Sequence, residues 1–236
     1  NVYGNAFANA APTITANIAL FNVTPVANGC TGLDQNFIVQ VDPIPHVDPV
    51  TSQSNCNGTQ TLPVILTSPV FGTSFSWSNP DPSIGLATSG TGNIPSFTAV
   101  NTGNTTKVVT ITVIPTGLAP TNCVGPLVSF TYTIYPTPVV TPTADQLKCA
   151  GTSTTAISFT SNVPAASGVT TFNWTNDNPI IGLALSGSGN IPSFVTQNPT
   201  FVSQSGHIIV TPVTNGCAGT PDTFVITVEP IPVLTA

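Results

Sequence analysis

VSFTYTIY, residues 128–135, puts Val128, Phe130, Tyr132 and Ile134 on one side of an extended chain and small polar residues on the other. Alternation with period two is the signature of a half-buried β-strand. TFVITV (223–228) repeats it. No segment shows a convincing 3.6-residue apolar period. The same reading predicts strands near 46–51, 61–67, 73–78, 84–89, 95–101 and 107–114, with Gly, Pro and Asn clusters between them. Seven short strands per module predict an all-β fold of the immunoglobulin-like sandwich type.

Working outward, the chain repeats itself. GNIPSF stands at 92–97 and again at 189–194, 97 positions later. Trp77 and Trp174 keep the same 97-residue spacing, Cys56 and Cys149 are 93 apart, and Cys123 and Cys217 are 94 apart. PTP (136–138) and PIP (230–232) close the two copies, and PIP (43–45) follows an N-terminal stretch, FNVTPVANGC (21–30), that resembles the end of a copy. The chain therefore reads as 1–42, the C-terminal half of a repeat, followed by whole repeats at 43–136 and 137–236. It has the look of a window on a longer array. A 90- to 100-residue module buries one modest core, and half a module needs a partner to complete it.

Only 4% of the residues are charged, with two lysines (Lys107, Lys148), no arginine and a net charge of −6. Phosphate backbones and anionic membranes are bound through clustered Lys and Arg, so neither nucleic acid nor a membrane surface is an expected partner. No apolar run is long enough for a membrane-spanning helix. The 40% hydrophobic content separates the chain from disordered low-charge sequences. Five regularly spaced cysteines predict disulfides and an oxidising compartment.

No catalytic, cofactor-binding or metal-ligating constellation is read. His46 and His207 occupy different repeat positions. Asp42, Asp48, Asp81 and Asp177 stand apart at turns and linkers, where Asp ordinarily hydrogen-bonds backbone. Lys107 and Lys148 are not equivalent, which argues against an isopeptide crosslink. NVT (22–24), NGT (57–59), NTT (104–106) and NWT (173–175) match the glycosylation acceptor, as chance allows in so Thr-rich a chain. Trp77, Trp174, Phe97 and Phe194 are expected in the core.

The phrases FSWSNPDPSIGLATSGTGNIPSF, CNGT, NGCAGTP and the closing V-x-P-I-P resemble PKD-like repeats of very large surface adhesins of gliding Gram-negative bacteria that use type IX secretion. Trp77 is followed by SNPDP rather than the DFGDG of conventional PKD domains, so the looser PKD-like group is the match. The resemblance implies tandem seven-stranded PKD-like sandwiches arranged end to end, a bacterial cell-surface location, gliding motility or attachment, and no enzymatic activity. The expected role is a structural stalk whose partners are neighbouring repeats. The alternative is an adhesion module binding glycan or protein through exposed loops. Two disulfide patterns stay open. End-to-end stacking favours Cys56–Cys217, with Cys30, Cys123 and Cys149 partnered outside the chain. The other pattern is Cys56–Cys123 with Cys149–Cys217, within each repeat.

Overall fold

A computed structural model describes residues 16–233. Contacts gather the described residues into two units. The first takes residues up to Gln53 together with Gln60–Phe97 and Val109–Tyr132. The second takes Ser54–Thr59, Thr98–Val108 and everything from Thr133 onward.

In the first unit, β1 (Asn17–Val23) and β4 (Gln35–Val41) pair antiparallel, and the short β2 (Val26–Ala27) and β3 (Cys30–Thr31) form the hairpin between them. Phe21 and Phe37 stack across the β1–β4 pair, ring centroids 5.1 Å apart. Residues 1–15, part of the predicted half-repeat, lie outside the described residues.

A five-stranded sheet follows: β5 (Gln53–Cys56), β6 (Ser74–Ser78), β7 (Ser89–Thr91), β8 (Lys107–Thr116) and β9 (Val128–Tyr135), in the order β5-β9-β8-β6-β7. The second repeat builds the same sheet from β10 (Gln146–Cys149), β11 (Thr170–Asn176), β12 (Ser186–Ser188), β13 (Gln204–Thr214), β14 (Cys217–Ala218) and β15 (Asp222–Glu229), ordered β10-β15-β13-β11-β12 with β14 on β13. Strand β10 runs parallel to β15, and the other long pairs are antiparallel. A first strand parallel to the last, followed inward by the penultimate and the Trp-bearing strand, is the immunoglobulin-like order. The facing layer is held by single bridges: Val140 with Ser161, Ile157 with Ile191 and, in the first repeat, Val64 with Ile94. The fold is all-β, built of packed sandwiches.

Alternating side chains make the core. In the second unit Ile208, Val210, Phe224 and Ile226 project from β13 and β15 onto Ile157, Phe159 and Ile191 of the facing layer. Burying a large side chain of this kind is worth about 1.5–3 kcal/mol. In the first repeat Ile111, Val113, Phe130 and Tyr132 occupy the same positions, and Tyr132 packs edge-on against Phe97 and Phe130.

The predicted strands at 46–51, 61–67, 84–89 and 95–101 differ from the structure. Within 43–136 the first continuous strand is 53–56, and 61–67 and 94–97 meet only through isolated pairs. Proline explains much of this, since Pro63 and Pro95 lack the N–H a ladder needs. At 84–89 a 3-10 turn, Pro82–Ile84, replaces the start of the strand, capped by Asp81 and ended by Gly85 at φ 98°. Its counterpart is Pro179–Ile181, capped by Asn178.

The duplicated GNIPSF is a clasp between layers. Asn93 accepts from Leu66 N–H and Asn190 from Phe159 N–H, both at 2.9 Å. Ile94 and Ile191 are buried. Phe97 N–H donates to Thr61 Oγ1 and Phe194 N–H to Thr154 Oγ1, both at 3.1 Å. Between the two contacts stands a proline, Pro95 or Pro192, which has no N–H to leave unpaired.

Candidate functional site

The most distinctive chemistry is covalent. Within the second unit Cys56, at the end of β5, is disulfide-bonded to Cys217, the first residue of β14, with Cα atoms 5.6 Å apart across a sequence separation of 161. That distance lies inside the range a disulfide spans. The within-repeat pattern is not formed: Cys123 and Cys149 are free thiols, as is Cys30. The reason is topological. Asn57, next to Cys56, pairs with Tyr135 at the end of β9, whereas Cys123 precedes the start of β9 at Val128.

Local sequence presents both halves of the bond. Asn215 and Gly216, at φ 51° and 79°, form a two-residue turn that pairs Thr214 with Cys217. Asn-Gly is the preferred pair for such a turn because both residues need positive φ. On the other side, Thr59 N–H and Oγ1 both donate to Cys56 O, which closes a tight turn after β5.

Polar contacts surround the disulfide. Asn57 Nδ2 donates to Thr137 Oγ1 at 3.0 Å, and Asn57 N–H to Tyr135 O at 2.9 Å. Asn104 Nδ2 donates to Asn162 O, Thr106 N–H to Ser167 Oγ, and Thr106 Oγ1 to Ser167 O, each at 3.1 Å. Asn215 Nδ2 also donates to Ser167 O, at 2.8 Å. Residues far apart in sequence (56, 104–106, 137, 162–167, 215–217) thus converge on one region.

The linkers are seated by glycine. A Cβ on Gly219 would meet Pro138 O at 1.8 Å, and one on Gly125 would meet Pro45 O at 1.8 Å. Each Pro-x-Pro segment therefore passes close against a hairpin that only glycine leaves open.

Trp77, Trp174 and Phe97 are buried, whereas Phe194, expected in the core, is only partly buried against it. Ser193 Oγ and Phe194 N–H donate to Thr154 as Ser96 Oγ and Phe97 N–H donate to Thr61, so these bonds do not account for the difference in burial. His207 Nδ1 lies 2.9 Å from Asp177 Oδ2, and its backbone N–H donates to Asp177 Oδ1 at 2.7 Å. These bonds hold the Asp177 carboxyl below its ordinary value, the backbone N–H first. His46 lies near the start of the first repeat without joining this pair. Thr121 and Gln40 likewise lower Asp42, while Asp48 accepts from Thr67 Oγ1 and Asp81 from Ser83 N–H. Among the described residues no three of His, Cys, Asp and Glu are grouped as a metal site requires, and no helix is long and apolar enough to cross a membrane. Two of the sequon asparagines, Asn57 and Asn104, use their amide nitrogens in the contacts around the disulfide.

Sequence reading missed four asparagines that bond inward to backbone carbonyls, of which Asn79, Asn101 and Asn176 are buried and Asn198 is partly buried. Asn79 and Asn176 donate to Leu86 O and Leu183 O, and Asn101 and Asn198 donate to Ile134 O and Val228 O. Each pair is 97 residues apart, the spacing of GNIPSF, and that duplication was the available signal. The Asn104–Asn162 and Thr106–Ser167 contacts carried no signal, because they join residues that are not repeat-equivalent.

No family model and no curated protein matches the sequence. Among solved structures, Dpr11 IG1 bound to DIP-gamma IG+IG2 aligns at 10% identity and TM-score 0.40, over 80% of this chain and 99% of that one. Sidekick-1 immunoglobulin domains 1–5 align at 12% identity and TM-score 0.41, over 91% of this chain and 54% of that one. Human protocadherin-24 EC1-2 aligns at 14% identity and TM-score 0.39, over 81% and 100%. At these scores the fold assignment rests on the strand order described above.

Proposed function

We propose that this chain is a load-bearing spacer from a long, repetitive, exported surface protein. In this reading 43–136 and 137–236 are whole modules, 1–42 closes a third, and the modules stack end to end. The PKD-like phrases point to the outer surface of a bacterium and to an adhesin of the gliding, type IX-exported kind. The modules set reach and stiffness and carry no chemistry of their own.

The observation that supports this most is the Cys56–Cys217 bond. It favours an oxidising compartment. It also ties a cysteine of one sequence repeat to a cysteine of the next. A pull applied to the two ends of the chain would run through the disulfide and bypass the 161-residue stretch it closes. Pro-x-Pro linkers seated on glycine add stiffness at the module boundaries.

Single-molecule pulling on the chain tests this. With the disulfide intact, the stretch between Cys56 and Cys217 should stay closed. Reduction should release roughly 550 Å of further extension, at about 3.4 Å per residue. Equal contour lengths before and after reduction would overturn the reading. Specific capture of this fragment on a glycan array would favour the binding-module alternative instead.

A further inference from the structure

We propose that Cys149 and its turn form an open half of a second such bond, and that its partner is the Asn-Gly-Cys hairpin of another chain of this kind. In a solution of this chain alone the partner is Cys30 of a second copy. This rests on the spacer reading and names the group that continues the array.

The bonded pair supplies the template. Cys149 ends β10 as Cys56 ends β5, and Thr152 N–H and Oγ1 both donate to Cys149 O as Thr59 does to Cys56 O. Cys149 is exposed and unbonded. The nearby loop points the same way. Asn104, which reaches Asn162 beside the existing bond, aligns with Phe201 at the 97-residue spacing. Phe201 and its neighbour Val202 are 85% and 64% exposed. An apolar pair in a contact position, left in solvent, fits a docking surface.

The other half is preformed. Asn28 and Gly29 have φ 51° and 82°, against 51° and 79° at Asn215 and Gly216. The turn pairs Ala27 with Cys30 as the later one pairs Thr214 with Cys217. Cys30 is exposed. Cys123 lacks this geometry, because a longer loop, closed by Gly117 N–H to Cys123 O, precedes it.

The chemistry is thiol–disulfide exchange with a small-molecule disulfide such as oxidised glutathione. The Cys149 thiolate attacks one sulfur and releases one glutathione thiolate, which takes up a proton. The Cys30 thiolate of the second copy then attacks the Cys149 sulfur of the mixed disulfide and releases the second glutathione. Two protein thiols are oxidised and one glutathione disulfide is reduced to two thiols.

The test uses full chains with Cys123→Ser throughout, in a glutathione redox buffer, read by non-reducing gel and peptide mapping. The parent should form a ladder of covalent oligomers. Cys149→Ser alone and Cys30→Ser alone should stay without Cys149–Cys30 crosslinks. Mixed one to one, they should give a dimer and no longer species, joined Cys149 to Cys30. Phe201→Ser should slow dimer formation several-fold. Monomers with Cys149 capped by glutathione, or a ladder that survives Cys149→Ser, would overturn the proposal. A map showing Cys56–Cys217 without Cys149–Cys30 sinks this inference alone, whereas loss of Cys56–Cys217 sinks the spacer reading beneath it.

Discussion

Gly187 lies flat against the indole of Trp174: a Cβ built on it would stand 2.2 Å from Trp174 Cζ2. Gly90 and Trp77 repeat the relationship at the same 2.2 Å. The glycines on β7 and β12 are there because a buried ring occupies the space a side chain would need. Gly187→Ala should therefore push Trp174 off its seat and cost about 1–3 kcal/mol, as overpacking does. A lower urea midpoint with altered near-UV dichroism is expected. An unchanged midpoint would refute the packing argument.

The Cys56–Cys217 bond closes a loop of 161 residues. In the chain-entropy account, closure of that length restricts the unfolded chain by up to about 5 kcal/mol. Replacing both cysteines with serine should lower the calorimetric Tm markedly without changing strand content by far-UV dichroism. A shift of under a degree would show that the loop contributes little.

Asn176 is buried, donates to Leu183 O at 3.0 Å and accepts from Asn178 N–H at 3.1 Å. Asn176→Ala leaves those groups without partners in the interior, at a cost of about 2 kcal/mol. Chemical denaturation should show this loss, and Asn79→Ala should show a similar one in the first repeat. A neutral result at both positions would mean that water replaces the amide.

Asp177 has a folded pKa held below 3.8, chiefly by the His207 backbone N–H. Its contribution is present above the ordinary carboxyl value and is lost as pH falls through the lowered folded value. Stability should thus decline on acidification below about pH 4, and Asp177→Asn should flatten part of that decline. Identical pH profiles for the two proteins would remove the Asp177–His207 hydrogen bonds from the account.

Tyr132 is buried, its hydroxyl has no partner among the described residues, and burial raises its pKa to about 12. The unfolded phenol ionises near 10.0, so this group's contribution is full below pH 10 and is lost as pH rises toward 12. Tyr132→Phe removes an unsatisfied hydroxyl and keeps the contacts with Phe97 and Phe130. It should be neutral or stabilising, with alkaline unfolding shifted upward. A clear destabilisation would indicate a hydrogen-bond partner for the hydroxyl.

The alternation in 128–135 and 223–228 marked β9 and β15 in the sequence, because a half-buried strand must present apolar groups every second residue. The duplicated spacing likewise marked GNIPSF as structural, while the asparagines at the same 97-residue spacing went unread. Period two failed where proline interrupts the ladder, at Pro63, Pro82 and Pro95, since a missing N–H leaves extended chain without continuous pairing.

By itself the sequence determined the all-β class, the two-fold repetition and the strands whose side chains alternate, because these follow from local periodicity and turn chemistry. Tertiary structure chose the favoured Cys56–Cys217 pairing over the within-repeat pattern, and it alone decided that Asn104 reaches Asn162 and that Gly187 yields its space to Trp174. Such contacts join residues far apart along the chain, and the distance between them is fixed only once the sheets have packed.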